Sequence, residues 1–291
     1  MKITVFTPTY NRAYTLENLY LSLKAQTWKD FEWLVIDDGS TDNTEELFHS
    51  WIKKENGFSI RYFKVKNGGK HRAINKATDL ARGDLFFIVD SDDTITHDAI
   101  GMITSWEKSL KRKPDFCGIS GNKGHDEKSI HGTTFEGDYI DATSLERKKF
   151  NITGDKAEVF YTEILKRYKF KEFDGENFLT EATVWDRMAA DGYKIRWFNK
   201  TIYICDYLED GLTNNLINIF AENPKGTAHY INHQIKCYQY NLKGRLSNYN
   251  LYYSFVKNNV GLRTAARYLE INPVVLLLAV VSTKLKQTLI K

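Results

Sequence analysis

Three short clusters in this chain combine residue types that could do chemistry. Asp90-Ser91-Asp92-Asp93 follows the apolar run Leu85-Phe86-Phe87-Ile88-Val89. Carboxylates gathered at the end of a buried run are costly unless a cation compensates them. Hard divalent ions take oxygen ligands and often bridge a protein carboxylate to phosphate oxygens, so an Asp-x-Asp here suits a metal-diphosphate site. A solvated loop, with Thr94 or Thr96 capping the next helix, accounts for the same residues. Asp37-Asp38-Gly39-Ser40-Thr41-Asp42 ends a second apolar run, Phe31 to Ile36. A turn at Gly39 and a helix cap from Ser40 to Asp42 explain part of it. Two successive aspartates directly after Ile36 are left over, and a carboxylate there could accept from a base N–H or from ribose hydroxyls. In Asn67-Gly68-Gly69-Lys70-His71-Arg72, paired glycines precede a basic helix start. That arrangement suits an anion, held by backbone N–H groups and the helix dipole.

The elements that must position these clusters follow from periodicity. Strands are expected at Lys2 to Thr7, Phe31 to Ile36, Ile60 to Lys64 and Leu85 to Val89. Helices are expected at Arg12 to Gln26, with Leu16, Leu19, Tyr20 and Leu23 on one face, at Asp42 to Lys54 and at Lys70 to Ala81. Strands spaced by helices imply an α/β fold whose parallel sheet has right-handed crossovers. Such sheets bind ligands outside the carboxyl ends of their strands, and there Pro8-Thr9-Tyr10-Asn11 joins the two acidic clusters. From about Ile95 to Gly211 the pattern is less regular, with a helix expected near Glu181 to Asp191. From Leu216 onward the chain reads as helical.

With 291 residues, 42 % of them apolar and 27 % charged, the chain is long enough for one large or two modest globular units. Aromatics at 14 % could serve as carbohydrate platforms or simply fill cores. Cys117, Cys205 and Cys237 have no metal-ligand spacing and fit a reducing compartment. Gly-x-x-x-x-Gly-Lys-[Ser/Thr] is absent, and no Gly-x-Gly-x-x-Gly follows the first strand, which speaks against a P-loop protein and a dinucleotide oxidoreductase. A sugar nucleotidyltransferase would want a Gly-rich basic loop where Pro8-Thr9-Tyr10-Asn11 stands.

Taken together, these motifs resemble glycosyltransferase family 2. The resemblance is carried by Pro8-Thr9-Tyr10-Asn11-Arg12, Gln26-Thr27-Trp28-Lys29-Asp30-Phe31-Glu32, Asp37 to Asp42, Asn67 and Gly69 before Ala73 and Asn75, and Gly83-Asp84 before Asp90-Ser91-Asp92-Asp93. It is close over residues 1–110, patchy to about 215 and absent beyond. It implies the GT-A fold: a mostly parallel twisted sheet flanked by helices, with a Rossmann-like nucleotide-sugar half (1–110) and an acceptor half (111–215), here followed by a helical basic extension (216–291). It also implies a metal-dependent, inverting hexosyltransferase that uses a nucleotide-diphosphate sugar, UDP-linked above all. The acceptor would be a hydroxyl on a glycan or lipid-linked glycan of a bacterial surface polysaccharide such as capsule, O-antigen or exopolysaccharide. Pro8, Thr9, Tyr10, Asn11 and Arg12 would border the nucleotide and Asp38 would bind the base. Asp90, with Ser91, would hold the ribose or share the metal. Asp92 would ligate Mn²⁺ or Mg²⁺, with Asp93 beside it, and Lys70, Arg72 and Asn75 would face the donor.

Two departures stand out. The family often reads Ala-Arg-Asn in the third helix, where this chain has Ala73-Ile74-Asn75; Lys70 or Arg72 must then substitute. Its late acidic pair, often Glu-Asp, is here Glu181-Ala182, which makes Glu181 the candidate base and Asp186 the fallback. The other explanation of Glu181 is a helix N-terminal acid, preceded by Thr180 and favourable to the dipole. Asp206 to Asn214 resembles a loop after that acidic motif, a lid or a plain glycine turn. His229 and His233, four apart, form a helix face, or His229 completes the metal shell as a late histidine does in some GT-A enzymes. A different class stays open: a catalytically inactive GT-A scaffold within a glycan-assembly complex.

Net charge is +4, yet from Leu216 onward ten Lys and Arg face two acids. The longest apolar run, Val274 to Val281, is far short of the roughly 20 residues that span a bilayer, and the N-terminus has no signal-peptide pattern. A cytoplasmic protein is expected. Its basic tail would either dock peripherally on the inner face of the plasma membrane or pack on the body or a second subunit. Nucleic acid is not an expected partner, and oligomerisation is left open.

Overall fold

A computed structural model describes residues 2–110, 113–206 and 215–289. Most of the expected loop from Asp206 to Asn214 therefore lies outside the described residues, as does Lys291 in the basic tail.

In chain order the first elements are β1 (Ile3–Thr9), α1 (Ala13–Lys24), β2 (Phe31–Asp37), α2 (Thr44–Ile52), β3 (Ser59–Lys64), α3 (Lys70–Leu80) and β4 (Leu85–Ile88). Next come β5 (Thr94–Ile95), α4 (Ala99–Lys108), β6 (Phe116–Gly124), β7 (Tyr139–Ala142), β8 (Lys156–Tyr161), α5 (Thr162–Leu165), α6 (Ala182–Ala190) and β9 (Lys194–Ile204). Five helices follow: α7 (Leu216–Glu222), α8 (Pro224–Cys237), α9 (Leu242–Val256), α10 (Leu262–Tyr268) and α11 (Pro273–Leu289).

The strands form one mixed sheet in the order β3-β2-β1-β4-β8-β6-β9-β5, with β7 paired to β9. The half β3-β2-β1-β4 is wholly parallel. Beyond it β8 runs antiparallel to both β4 and β6, while β6 and β9 are parallel. All seven residues of β2 are buried, as a central strand covered on both faces requires. Its Trp33 meets Tyr20 of α1 and Phe48 of α2, and Tyr20 stacks on Trp51 with ring centroids 4.4 Å apart. Burying each such ring contributes about 1.5–3 kcal/mol, so this aromatic layer fixes α1 and α2 against the sheet. Leu16, Leu19, Tyr20 and Leu23 are the buried face of α1, as expected.

The chain divides into two compact units. One comprises Met1–Lys169 with Met188–Asp206, and the other Phe170–Arg187 with Tyr207–Lys291. The second unit has its own core, in which Ile231, Tyr252, Val256, Ala266 and Leu276 interlock from α8, α9, α10 and α11. No single described helix is long and apolar enough to cross a membrane. Leu262–Tyr268 and Pro273–Ser282 pass that test only as a pair, bent by 108°.

Candidate active site

In the first unit β1 lies between β2 and β4, with Thr9 level with Asp37 and Phe6 level with Ile88. All three strands run the same way, so Pro8-Thr9-Tyr10, Asp37-Asp38 and the Asp90 cluster emerge at one sheet edge. The loops there are cross-tied. Asn11 adopts φ 51°; its N–H donates to Ser40 Oγ (2.9 Å) and its Oδ1 accepts from the Thr41 N–H (2.7 Å). Asp42 Oδ2 accepts from the Ala13 N–H (2.9 Å), and Thr15 Oγ1 donates to the Ser91 carbonyl (2.9 Å). Arg12 stacks over Tyr14, and Tyr10 is half exposed. Thr9, only 3 % exposed, has a buried hydroxyl with no hydrogen-bond partner. Buried polar atoms are rarely left so.

Asp38 organises the neighbouring loop. Its Oδ1 accepts from the Gly68 N–H (2.8 Å) and its Oδ2 from the Gly69 N–H (2.7 Å), while Asn67 Nδ2 donates to its carbonyl (2.9 Å). Gly69 caps α3 at φ 95°, a conformation that side chains resist. Burial raises the Asp38 carboxyl above its usual range, and the two N–H groups offset part of that. Asp37 is fully buried; it accepts from the Ser40 N–H (2.7 Å) and from the Tyr62 hydroxyl.

The loop after β4 concentrates charge. Lys70, the first residue of α3, reaches Asp90 with Nζ 2.7 Å from Oδ1 and 3.0 Å from Oδ2. Burial would raise Asp90, but the ammonium groups of Lys70 and Lys123 outweigh it and hold the carboxyl below its usual value. Asp92 is pushed up by burial and then by the charge of Asp90. Asp93 is pushed up to about 7 by the same two causes, even though the Tyr203 hydroxyl donates to its Oδ2 (2.7 Å). That hydroxyl also accepts from the Asp90 N–H (2.9 Å). Acids pushed toward neutrality by burial and then by a neighbouring carboxylate would be eased by added positive charge, which a hard divalent cation could supply. Among the described residues no three His, Cys, Asp or Glu side chains are grouped to hold a metal by themselves. The chemistry of Asp92 and Asp90 fits such a cation, to which their carboxylates would offer oxygen ligands.

Comparison with known sequences identifies the family. The profile of "Glycosyl transferase family 2" matches residues 4–153, more than half of the chain. The chain belongs to this family. Among its relatives, a Campylobacter jejuni protein named GalNAc(5)-diNAcBac-PP-undecaprenol beta-1,3-glucosyltransferase is 28 % identical over 194 residues, 63 % of this chain and 58 % of the relative. Glycosyltransferase GlyG of Streptococcus pneumoniae is 26 % identical over 216 residues, 69 % of each. Among solved structures, S. aureus TarS 1-349 in complex with UDP-GlcNAc superposes with a TM-score of 0.66 at 18 % identity, covering 89 % of this chain and 74 % of that one. The mannosyltransferase PcManGT from Pyrobaculum calidifontis, in complex with GDP-Man and Mn²⁺, gives 0.57 at 17 % identity, covering 97 % and 75 %. At these identities the likeness speaks for the fold, which is GT-A.

In this member of family 2 the basic residues and the amide expected from sequence on α3 are each tied to a neighbour. Lys70 is held by Asp90, while Arg72 Nη1 donates to the Gly68 carbonyl (2.5 Å) and the Asn75 carbonyl accepts from Lys169 (2.8 Å). Tyr203 and Lys123 were not anticipated. They face each other across the β6–β9 pair, with the Lys123 ammonium 4.0 Å from the centre of the Tyr203 ring. No motif marks them, since their partnership depends on strand register.

Glu181, Asp186 and His229 belong to the second unit. Glu181 precedes α6, and its carbonyl accepts from the Val184 and Trp185 N–H groups (2.9 and 3.1 Å). Asp186 is buried and accepts from Gln234 Nε2 (3.0 Å) on α8, with His233 Nε2 4.0 Å away. Burial lowers the pKa of His229, and the charges of Lys171 and Arg187 lower it further.

Proposed function

We propose that the protein transfers a sugar from a UDP-sugar to a hydroxyl on a glycan or lipid-linked glycan, with inversion at the anomeric carbon. One observation carries the reading. The tips of β2 and β4, on either side of β1, bring Asp38 and the Asp90–Asp93 acids to the sheet edge at which β1 ends with Thr9 and its partnerless hydroxyl. The relatives lend support, because one is named for an undecaprenol-linked substrate and TarS was solved with UDP-GlcNAc. A Bacillus spizizenii relative, 26 % identical over 171 residues, is named a poly(ribitol-phosphate) beta-glucosyltransferase. The role would be in bacterial surface-polysaccharide synthesis, on the inner face of the membrane.

Each residue then has a task. Thr9, with Pro8, Tyr10, Asn11 and Arg12, borders the nucleotide. Asp38 still has lone pairs for the base after accepting its two N–H groups, since a carboxylate has about four. Asp92 and Asp90 hold the Mn²⁺ or Mg²⁺, which would neutralise charge on the departing diphosphate when bound. Ser91 borders the ribose, and Lys70, Arg72 and Asn75 face the diphosphate. Glu181 accepts the proton of the attacking hydroxyl, a contribution of about 10²–10⁴-fold. Asp186, already tied to Gln234, is the second choice.

The test is UDP release from a panel of UDP-sugars, with and without Mn²⁺. Release that requires the metal is expected. If no UDP or GDP compound binds by calorimetry with Mn²⁺ present, the reading fails.

A further inference from the structure

The second unit contains a feature that donor chemistry does not use. A cleft of about 270 Å³ is lined by Lys171, Lys225 and Arg267, by the rings of His229 and Tyr268, and by a single acid, Glu270. Ligand pockets for larger molecules run to roughly 300–1,000 Å³, so this one suits a small group. Lys171 lies over the Phe173 ring (5.1 Å), Lys225 Nζ donates to the Asp174 carbonyl (2.9 Å), and the Arg267 guanidinium stands 5.7 Å from the Tyr268 ring. None of these three cations forms an ion pair with a carboxylate among the described residues. Three cations against one acid at an open cleft suit an anion. An arginine fork with two ammonium groups matches the oxygens of a phosphate.

A second observation indicates what carries that anion. Arg267 and Tyr268 end α10, which leads into α11 through the 108° bend. On α11, Val274, Leu277, Leu278 and Val281 are 60, 49, 58 and 44 % exposed. Their spacing of three, four and seven places them in one stripe of the helix. The opposite side, with Leu276 and Ala279, is buried in the core of the unit. An apolar stripe on the helix that directly follows the cleft's Arg267, Tyr268 and Glu270 in the chain suits a phosphate at the head of an apolar chain. A second copy of this chain is the poorer occupant, since ten basic residues against two acids from Leu216 onward would face their own kind.

We infer that this cleft binds a phosphate or diphosphate group, and that the α11 stripe favours one carried by a lipid at a membrane surface. Only the source of the phosphate rests on the lipid-linked acceptor proposed above. His229, neutral among these cations, contributes a ring N–H to the anion.

The test uses the full chain and two probes. Inorganic pyrophosphate is titrated by calorimetry, and flotation is measured with phosphatidylcholine vesicles with and without phosphatidic acid. Binding of pyrophosphate and of phosphatidic acid vesicles is expected. The Lys171→Gln/Arg267→Gln variant should lose roughly fivefold for each cation removed. Both residues are exposed, so folding is not at stake, and Lys171→Arg should restore binding. Leu278→Asp should lose the vesicles and keep pyrophosphate. Pyrophosphate binding that falls in the double variant without any flotation would support the site and assign it a free phosphate. Equal binding of both probes by wild type and double variant would overturn the inference, as would self-association that buries the stripe without either probe. UDP-sugar affinity, measured on the same proteins, should not change. Its absence from wild type would count against the transferase reading and leave this one intact.

Discussion

Two carboxylates proposed for different tasks can be separated by what each loses on truncation. Asp92→Ala removes a ligand from the proposed ion site. Its affinity for UDP in the presence of Mn²⁺ should fall by at least the roughly 10–100-fold that weaker perturbations of metal sites cost. Glu181→Ala should leave that affinity unchanged and reduce turnover by about 10²–10⁴-fold. Unchanged turnover would move the base role to Asp186. A second residue-scale prediction concerns Lys156, buried at 4 % exposure with its Nζ donating to the His131 carbonyl (3.1 Å). Burial, then the charge of Arg147, pushes its pKa down to about 8. The unfolded chain keeps that proton to about pH 10.4. Between these values the unfolded state binds more protons, so stability should rise with pH across the window and carry the full penalty below about 8. In Lys156→Met that rise should shrink by roughly 2–3 kcal/mol between about pH 8 and about pH 10, read from denaturant midpoints. Sequence made the donor-side acids legible because each sits directly after an apolar run. It was silent on Lys156, Lys123 and Tyr203, whose chemistry comes from burial and from partners up to 113 residues away.

At the scale of elements, Gly83 shows how closely the site's strands are seated. Its N–H donates to Thr4 Oγ1 (2.9 Å), and a Cβ added there would lie 2.4 Å from the Thr4 nitrogen and 2.5 Å from the Ile3 carbonyl carbon of β1. Nothing flexible can yield, because both atoms are backbone. Gly83→Ala should cost about 1–3 kcal/mol through overpacking, and it should weaken UDP binding as β4 shifts against β1. A melting temperature equal to wild type would refute this. β1 to β4 and their three helices fall within two residues of the limits expected from periodicity, because each helix shows one buried face and the central strands are mostly apolar. The second half was less legible. β5 is only two residues long, Gly118 and Gly121 interrupt β6, and the register of β6 on β9 shifts at three points. Such pairings are set by tertiary packing, which a local pattern does not encode.

For the whole molecule, the division into units follows space and not chain order, since Phe170–Arg187 groups with the C-terminal helices while Met188–Asp206 returns to the sheet. A linear reading of composition has no means of showing that. Chain order has a kinetic side as well. The phenol of Tyr203 binds both the Asp90 N–H and the Asp93 carboxylate, across 113 and 110 residues. Contacts of such long separation form late in folding, since their loop-closure entropy is met before any contact repays it. Refolding followed by donor binding should therefore lag behind the recovery of helical circular dichroism; simultaneous recovery would contradict this. A nascent chain released by the ribosome only as far as β8 would carry every donor-side motif and still lack the oxygen that fixes its acids. Competence to use a sugar nucleotide would thus arrive only after β9 has been synthesised and has folded into the sheet.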